Sequence, residues 1–121
     1  MNEYTPEGWQ TVVPRIVARN ANRLIEFLHE VLGATGEYQE NTPSLVTIGN
    51  STIMISEAGV RTPMTAFLYV YVSDADAAYQ RAVNAGVRVI EEPLDTPYGD
   101  RRCMVEDEWG NTWQIATYRG S

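Results

Sequence analysis

The chain has 121 residues, 44% of them hydrophobic, and its 9 basic and 16 acidic side chains give a formal net charge of −7. This length and composition fit one globular domain with its own core rather than a disordered chain, and no apolar run approaches the roughly 20 residues of a membrane span. The negative charge, with no lysine-rich segment, argues against nucleic acid as a partner.

Asn2 to Gln10 is a polar lead-in containing Pro6, Gly8 and Trp9. Thr11 to Arg19 reads as a strand interrupted by Pro14, which suits an edge or a bulge. Asn20 is placed to cap a helix whose apolar residues Leu24, Phe27, Leu28, Val31 and Leu32 follow the i, i+3, i+4 rule, and Gly33 and Gly36 end it. Short strands over Leu45 to Ile48 and Thr52 to Ser56 flank Gly49-Asn50, which has hairpin-turn chemistry. Glu57 to Pro63 is the hinge between two halves.

The second half repeats the pattern. Phe67 to Val72, aromatic and β-branched, reads as a strand. Ser73-Asp74 offers a helix cap, Asp76 adds charge to the first turn, and Gly86 stands as the residue beyond the end of a helix over 74–85. A strand near Val87 to Ile90, a Pro-rich loop from Pro93 to Asp100, a strand from Arg102 to Val105, the turn Trp109-Gly110-Asn111 and a strand from Thr112 to Tyr118 complete it. The whole chain, 1–121, thus reads as one α+β domain of two βαβββ modules, about 11–57 and 64–118. The single cysteine, Cys103, permits no internal disulfide and points to a reducing compartment. Met1 to Glu7 is polar and acidic, unlike a signal or transit peptide, so the expected location is cytoplasmic.

Four segments carry a family resemblance: RIVARNANRLIEFL at 15–28, VSDADAAY at 72–79, PYGDR at 97–101 and GNTWQIAT at 110–117. With the repeated βαβββ order, they resemble the vicinal oxygen chelate superfamily of glyoxalase I, extradiol dioxygenases, fosfomycin-resistance enzymes and bleomycin-binding proteins. The resemblance implies a cupped mixed sheet with helices outside and a cavity inside, and a homodimer with a cavity at or near the interface. It also implies a metal held by His or Glu from four strands. Carried over, those positions fall on Val13, Phe67, Gln114 and either Ile53 or Met54. Val, Phe and Ile or Met are not metal ligands, and one amide oxygen is not a site, so no catalytic metal and no cofactor are expected.

Strand alternation then states what faces the cavity. If Val13, Phe67 and Gln114 point inward, so do Arg15, Val17, Tyr69, Tyr71, Thr112 and Ala116, while Ile16, Leu68, Val70, Val72, Trp113 and Ile115 pack under the helices. The candidate ligand-binding set is Arg15, Phe67, Tyr69, Tyr71, Thr112 and Gln114, an apolar wall with a few polar groups, as small-molecule sites have. The alternative is that these side chains fill the cup or an oligomer interface. Arg15, if buried, requires either an anionic or oxygen-rich ligand or a protein carboxylate such as Glu26 or Asp100. His29 reads as a surface or boundary residue, Cys103 as a buried strand residue, and Glu106-Asp107-Glu108 as a solvated turn without calcium-loop spacing.

Three functions follow. The first is a metal-free protein that binds or sequesters an aromatic or amphipathic compound, as drug-resistance members of the resembled family do. The second is an enzyme of the lyase, isomerase or dioxygenase type. The third is a non-catalytic dimeric module. For the first, the acidic surface favours a cationic ligand and Arg15 an anionic one. The two cues conflict.

Overall fold

The structure is a computed structural model and describes residues 4–120; Met1 to Glu3, the start of the polar lead-in, lie outside the described residues. The first half comprises β1 (Arg15–Ala18), α1 (Ala21–Leu32), β2 (Ser44–Ile48) and β3 (Ser51–Glu57). The second comprises β4 (Phe67–Tyr71), α2 (Ala75–Asn84), β5 (Arg88–Asp95), β6 (Asp100–Glu106) and β7 (Thr112–Tyr118). Strand order is β1-β3-β2 in one sheet and β4-β7-β6-β5 in the other. In both, the strand before the helix runs parallel to the last strand of its half, and the remaining pairs are antiparallel. The fourth strand of the first half is reduced to one bridge, Thr35 to Thr47, beside β2.

The halves meet through the linker. Val17 exchanges both backbone hydrogen bonds with Met64, and Ala66 accepts from Thr112 two residues later. The segment 64–66 therefore runs from the edge of β1 to the first residue of β7, where β4 takes over the pairing, and satisfies backbone groups that the free edge of β1 would leave open.

Both helices cover one face. From α1, Leu24, Ile25, Leu28 and Val31 are buried, and from α2 Ala75, Ala78 and Ala82; all but Ala75 join Ile16, Val46, Ile53, Ile55, Val105, Trp113 and Ile115 in one core. Each large aliphatic side chain so buried contributes about 1.5–3 kcal/mol. The alanine face of α2 brings it close to α1, where the Arg81 guanidinium donates to Val31 O from Nε at 3.3 Å and Nη2 at 3.1 Å, placing a cation at the negative end of α1. The alternation reading holds on this side: Leu68, Val70 and Val72 pack against the core, while Phe67, Tyr69 and Tyr71 do not.

Three local expectations are corrected. Asn20 adopts left-handed backbone (φ 59°) and its side chain caps nothing; the carboxylate of Glu57 accepts from Asn20 N at 3.0 Å and Ala21 N at 2.9 Å instead. The first strand is confined to 15–18: Pro14 O accepts from Met54 N as the last bond of the β1–β3 ladder, and beyond it the backbone of Thr52 is met by the Gln10 side-chain amide instead of a strand. The strand expected at 87–90 runs on to Asp95 through Pro93, with two register shifts. On a sheet edge the missing proline N–H costs no ladder bond. Asp74 caps α2 as expected, accepting from Ala77 N at 3.1 Å.

Candidate functional site

The face of the second sheet turned away from the helices carries a row of aromatic side chains along β4. Phe67 is 67% exposed, Tyr69 37% and Tyr71 59%. The Tyr69 and Tyr71 rings lie 5.4 Å apart, tilted by 55°. Both hydroxyls donate to one atom, Asp100 Oδ2, at 2.5 Å and 2.9 Å. Asp100 opens β6, which is separated from β4 by β7. Ala116 of β7 stands between Tyr71 and Arg102 in the ladder, and its methyl group leaves the space across which the phenols reach.

Asp100 is 2% exposed, and its Oδ1 meets no donor among the described residues. Its backbone is fixed: Asp100 N donates to Thr96 Oγ1, which donates to Asp100 O. The guanidinium two residues on turns elsewhere. Arg102 donates from Nη2 to Glu91 at 2.7 Å and from Nη1 to the Tyr98 hydroxyl at 2.8 Å, and its Nε is buried without an acceptor among the described residues. Tyr98, 54% exposed, also approaches the Tyr69 hydroxyl at 3.4 Å. Burial first, then the bonds to Asp100 and Tyr98, hold the Tyr69 phenol far above its ordinary range. Tyr71 is raised first by its bond to Asp100 and then by desolvation. Burial opposes the charge of Arg102, but the bond to Glu91 and its charge more than offset this. The two phenols are therefore neutral donors at physiological pH and poor bases.

The register places the candidate residues as follows. Phe67 pairs with Thr112, Tyr69 with Gln114 and Tyr71 with Ala116, so five of the six candidates share one face of β4 and β7. Arg15 does not join them. It is exposed rather than buried, and donates from Nε and Nη2 to Ser56 Oγ at 3.1 Å and 2.9 Å; among the described residues it forms no ion pair with Glu26, Asp100 or any other carboxylate. It borders a separate depression of about 550 Å³ formed by the loops 38–43 and 56–61. The β4 edge itself borders a crevice of about 290 Å³, closed on the other side by Pro14 and the β2–β3 turn at Gly49 and Asn50.

Of the two candidates for the fourth metal position, Met54 lies opposite Arg15 in the register, whereas Ile53 is buried in the core. With either residue, the set Val13, Ile53 or Met54, Phe67 and Gln114 offers at most a thioether and an amide, and no imidazole, carboxylate or thiolate. Its donor chemistry does not fit a divalent cation.

The remaining reactive residues are structural. His29 Nε2 lies 2.6 Å from Gly36 O at the end of α1. Cys103 is buried, and burial pushes its thiol up to about 11. The acidic turn is not solvated throughout: Asp107 is buried and accepts from Trp109 N, Asn111 N, Asn111 Nδ2 and Trp113 Nε1. Sequence reasoning did not find Tyr98, Asp100 and Arg102 as part of this site; the PYGDR segment was the available signal, since it holds the first two and adjoins the third.

A sequence model of the Glyoxalase/Bleomycin resistance protein/Dioxygenase superfamily matches residues 10–115. A protein of Mycobacterium bovis, described as uncharacterized, is 33% identical over 93 residues, 77% of this chain; the chain spans 58% of that relative's length. Among solved structures, TioX from Micromonospora sp. ML1 superposes with a TM-score of 0.74 at 19% identity, over 90% of this chain and 98% of its own. The fosfomycin resistance protein FosX of Listeria monocytogenes, solved with Mn(II) and sulfate, superposes with a TM-score of 0.71 at 15% identity, over 93% of this chain and 90% of its own. At these identities, the two structures speak for the fold alone.

Proposed function

This chain belongs to the Glyoxalase/Bleomycin resistance protein/Dioxygenase superfamily, and from that premise we propose that it is a metal-free binding protein that takes up or sequesters an aromatic or amphipathic small molecule on the open face of its second sheet. The observation that carries this reading is the exposure of Phe67, Tyr69 and Tyr71 in one row, with the two phenols braced on Asp100. Exposed aromatic side chains are common singly, but three along one strand, two of them fixed on one carboxylate, form an apolar wall with a polar anchor, the make-up of a ligand site. Thr112 and Gln114 border the row and supply further hydrogen-bonding groups. Arg15 serves the neighbouring depression.

A homodimer is the expected assembly, and cytoplasm the expected location. No helix among the described residues is long and apolar enough to cross a membrane.

Native mass spectrometry of protein purified gently from its own host tests the reading. The expected spectrum is a dimer carrying an organic adduct and no stoichiometric metal, with the adduct lost in Tyr69→Ala or Tyr71→Ala. A stoichiometric divalent ion, or an adduct retained undiminished in both variants, overturns it.

A further inference from the structure

The sequence cues to the charge of the ligand conflict, and the structure separates their sources. Arg15 lines the depression between loops 38–43 and 56–61, which the tyrosine row does not border. Around the row itself the charged groups are Asp100, Arg102 with Glu91, and Glu106 with Arg88, one negative charge in excess once the two ion pairs are set aside. Arg102 is engaged by Glu91, so the buried carboxylate of Asp100 has no cation paired with it among the described residues. Its charge is met on one oxygen by two neutral phenols, and its other oxygen has no donor among the described residues. A buried charge without a counter-ion is costly, and a cation brought close to it relieves that cost.

The rings above Asp100 suit such a guest. Tyr69 and Tyr71, tilted by 55° with centroids 5.4 Å apart, form two walls of a corner, and Phe67 and Tyr98 expose further aromatic surface beside them. A cation held against aromatic faces is attracted by the ring quadrupole. A phenol that donates to a carboxylate is polarised toward greater electron density on the ring, which strengthens that attraction. Both phenols are held above their ordinary ionisation range, so these donors keep their protons across the physiological range.

We propose that the tyrosine row over Asp100 is a receptor for a cationic head group, an alkylammonium or a comparable organic cation borne on an aromatic or amphipathic ligand. The proposal rests on the reading of this face as a ligand site and adds the chemical class of the ligand. The overall charge of −7 steers such cations toward the molecule, and the rings with Asp100 hold them.

Three probes test it on the whole protein: benzyltrimethylammonium, uncharged benzyl alcohol and anionic benzenesulfonate, each titrated while backbone amide NMR signals are followed. The cation is expected to shift amides of 67–71 and 98–102 and to bind about tenfold more tightly than benzyl alcohol. Asp100→Asn keeps an acceptor for the phenols but removes the charge, and is expected to lower about tenfold the ratio of the cation's affinity to that of benzyl alcohol, with the cation's own affinity falling. Equal affinity of wild type and Asp100→Asn for the cation, or preference for benzenesulfonate at the same amides, overturns the cationic assignment and leaves the ligand site standing. Failure of all three probes to perturb these amides overturns both. The wild-type preference for the cation over benzyl alcohol requires no variant, and its absence is decisive if Asp100→Asn does not fold.

Discussion

Tyr71 donates its hydroxyl to Asp100 Oδ2 across 2.9 Å, joining residues 29 positions apart in the chain and on strands that are not neighbours in the sheet. Tyr69 reaches the same oxygen, so one carboxylate fixes the direction of two aromatic side chains on an otherwise open face.

That arrangement predicts a pH dependence. Both phenols are raised in the folded state above the unfolded value of about 10. Their contribution to stability is therefore fully present below about pH 10 and is lost as pH rises from there through the folded-state values. Urea unfolding at pH 8 and pH 11 is expected to show this fall, with a shallower fall in Asp100→Asn. In a spectrophotometric titration of the native protein, at least two of the seven tyrosines should ionise after the rest; simultaneous ionisation of all seven would refute the geometry.

The cap of α1 predicts an inversion of the usual expectation for a cap position. Glu57 supplies the acceptors for Asn20 N and Ala21 N, and Asn20 occupies left-handed backbone that glycine adopts freely. Glu57→Ala is expected to cost about 1 kcal/mol, the usual value of a lost cap, whereas Asn20→Gly changes stability little. Chemical denaturation of both variants checks this, and a larger loss in Asn20→Gly would contradict it.

The turn before β7 is built around Asp107. Its side chain accepts from two backbone amides, the Asn111 amide and the Trp113 indole, all near the core. Asp107→Ala leaves these donors without an acceptor and is expected to cost about 3 kcal/mol, with a changed near-ultraviolet circular dichroism band from Trp113. A loss within about 0.5 kcal/mol, typical of surface positions, would show that the turn is held by other means.

Cys103 is buried on β6, with its thiol pushed up to about 11 by burial. At pH 8 it should resist iodoacetamide in the native protein and react fully once unfolded. Rapid native labelling, read by mass spectrometry, would contradict that placement.

The parts of this protein that depend on local periodicity are legible in its amino-acid order. The period of two along 67–72 and 112–118 separates Phe67, Tyr69 and Tyr71 from Leu68, Val70 and Trp113, because a buried sheet face tolerates no one-residue slip. The spacing of Leu24, Leu28 and Val31 sets the buried side of α1 for the same kind of reason, and the repeated strand–helix order with the turn at Gly110-Asn111 was enough to indicate the fold. The tertiary structure alone decided which polar groups meet. Asp100 joins Tyr69 and Tyr71, Glu57 rather than Asn20 caps α1, and Arg15 turns to Ser56 instead of a carboxylate. These bonds link residues 29 to 41 positions apart. Such a pairing leaves no trace in a local pattern, because it depends on how strands are ordered across the sheet and on which small residue, here Ala116, leaves room between them.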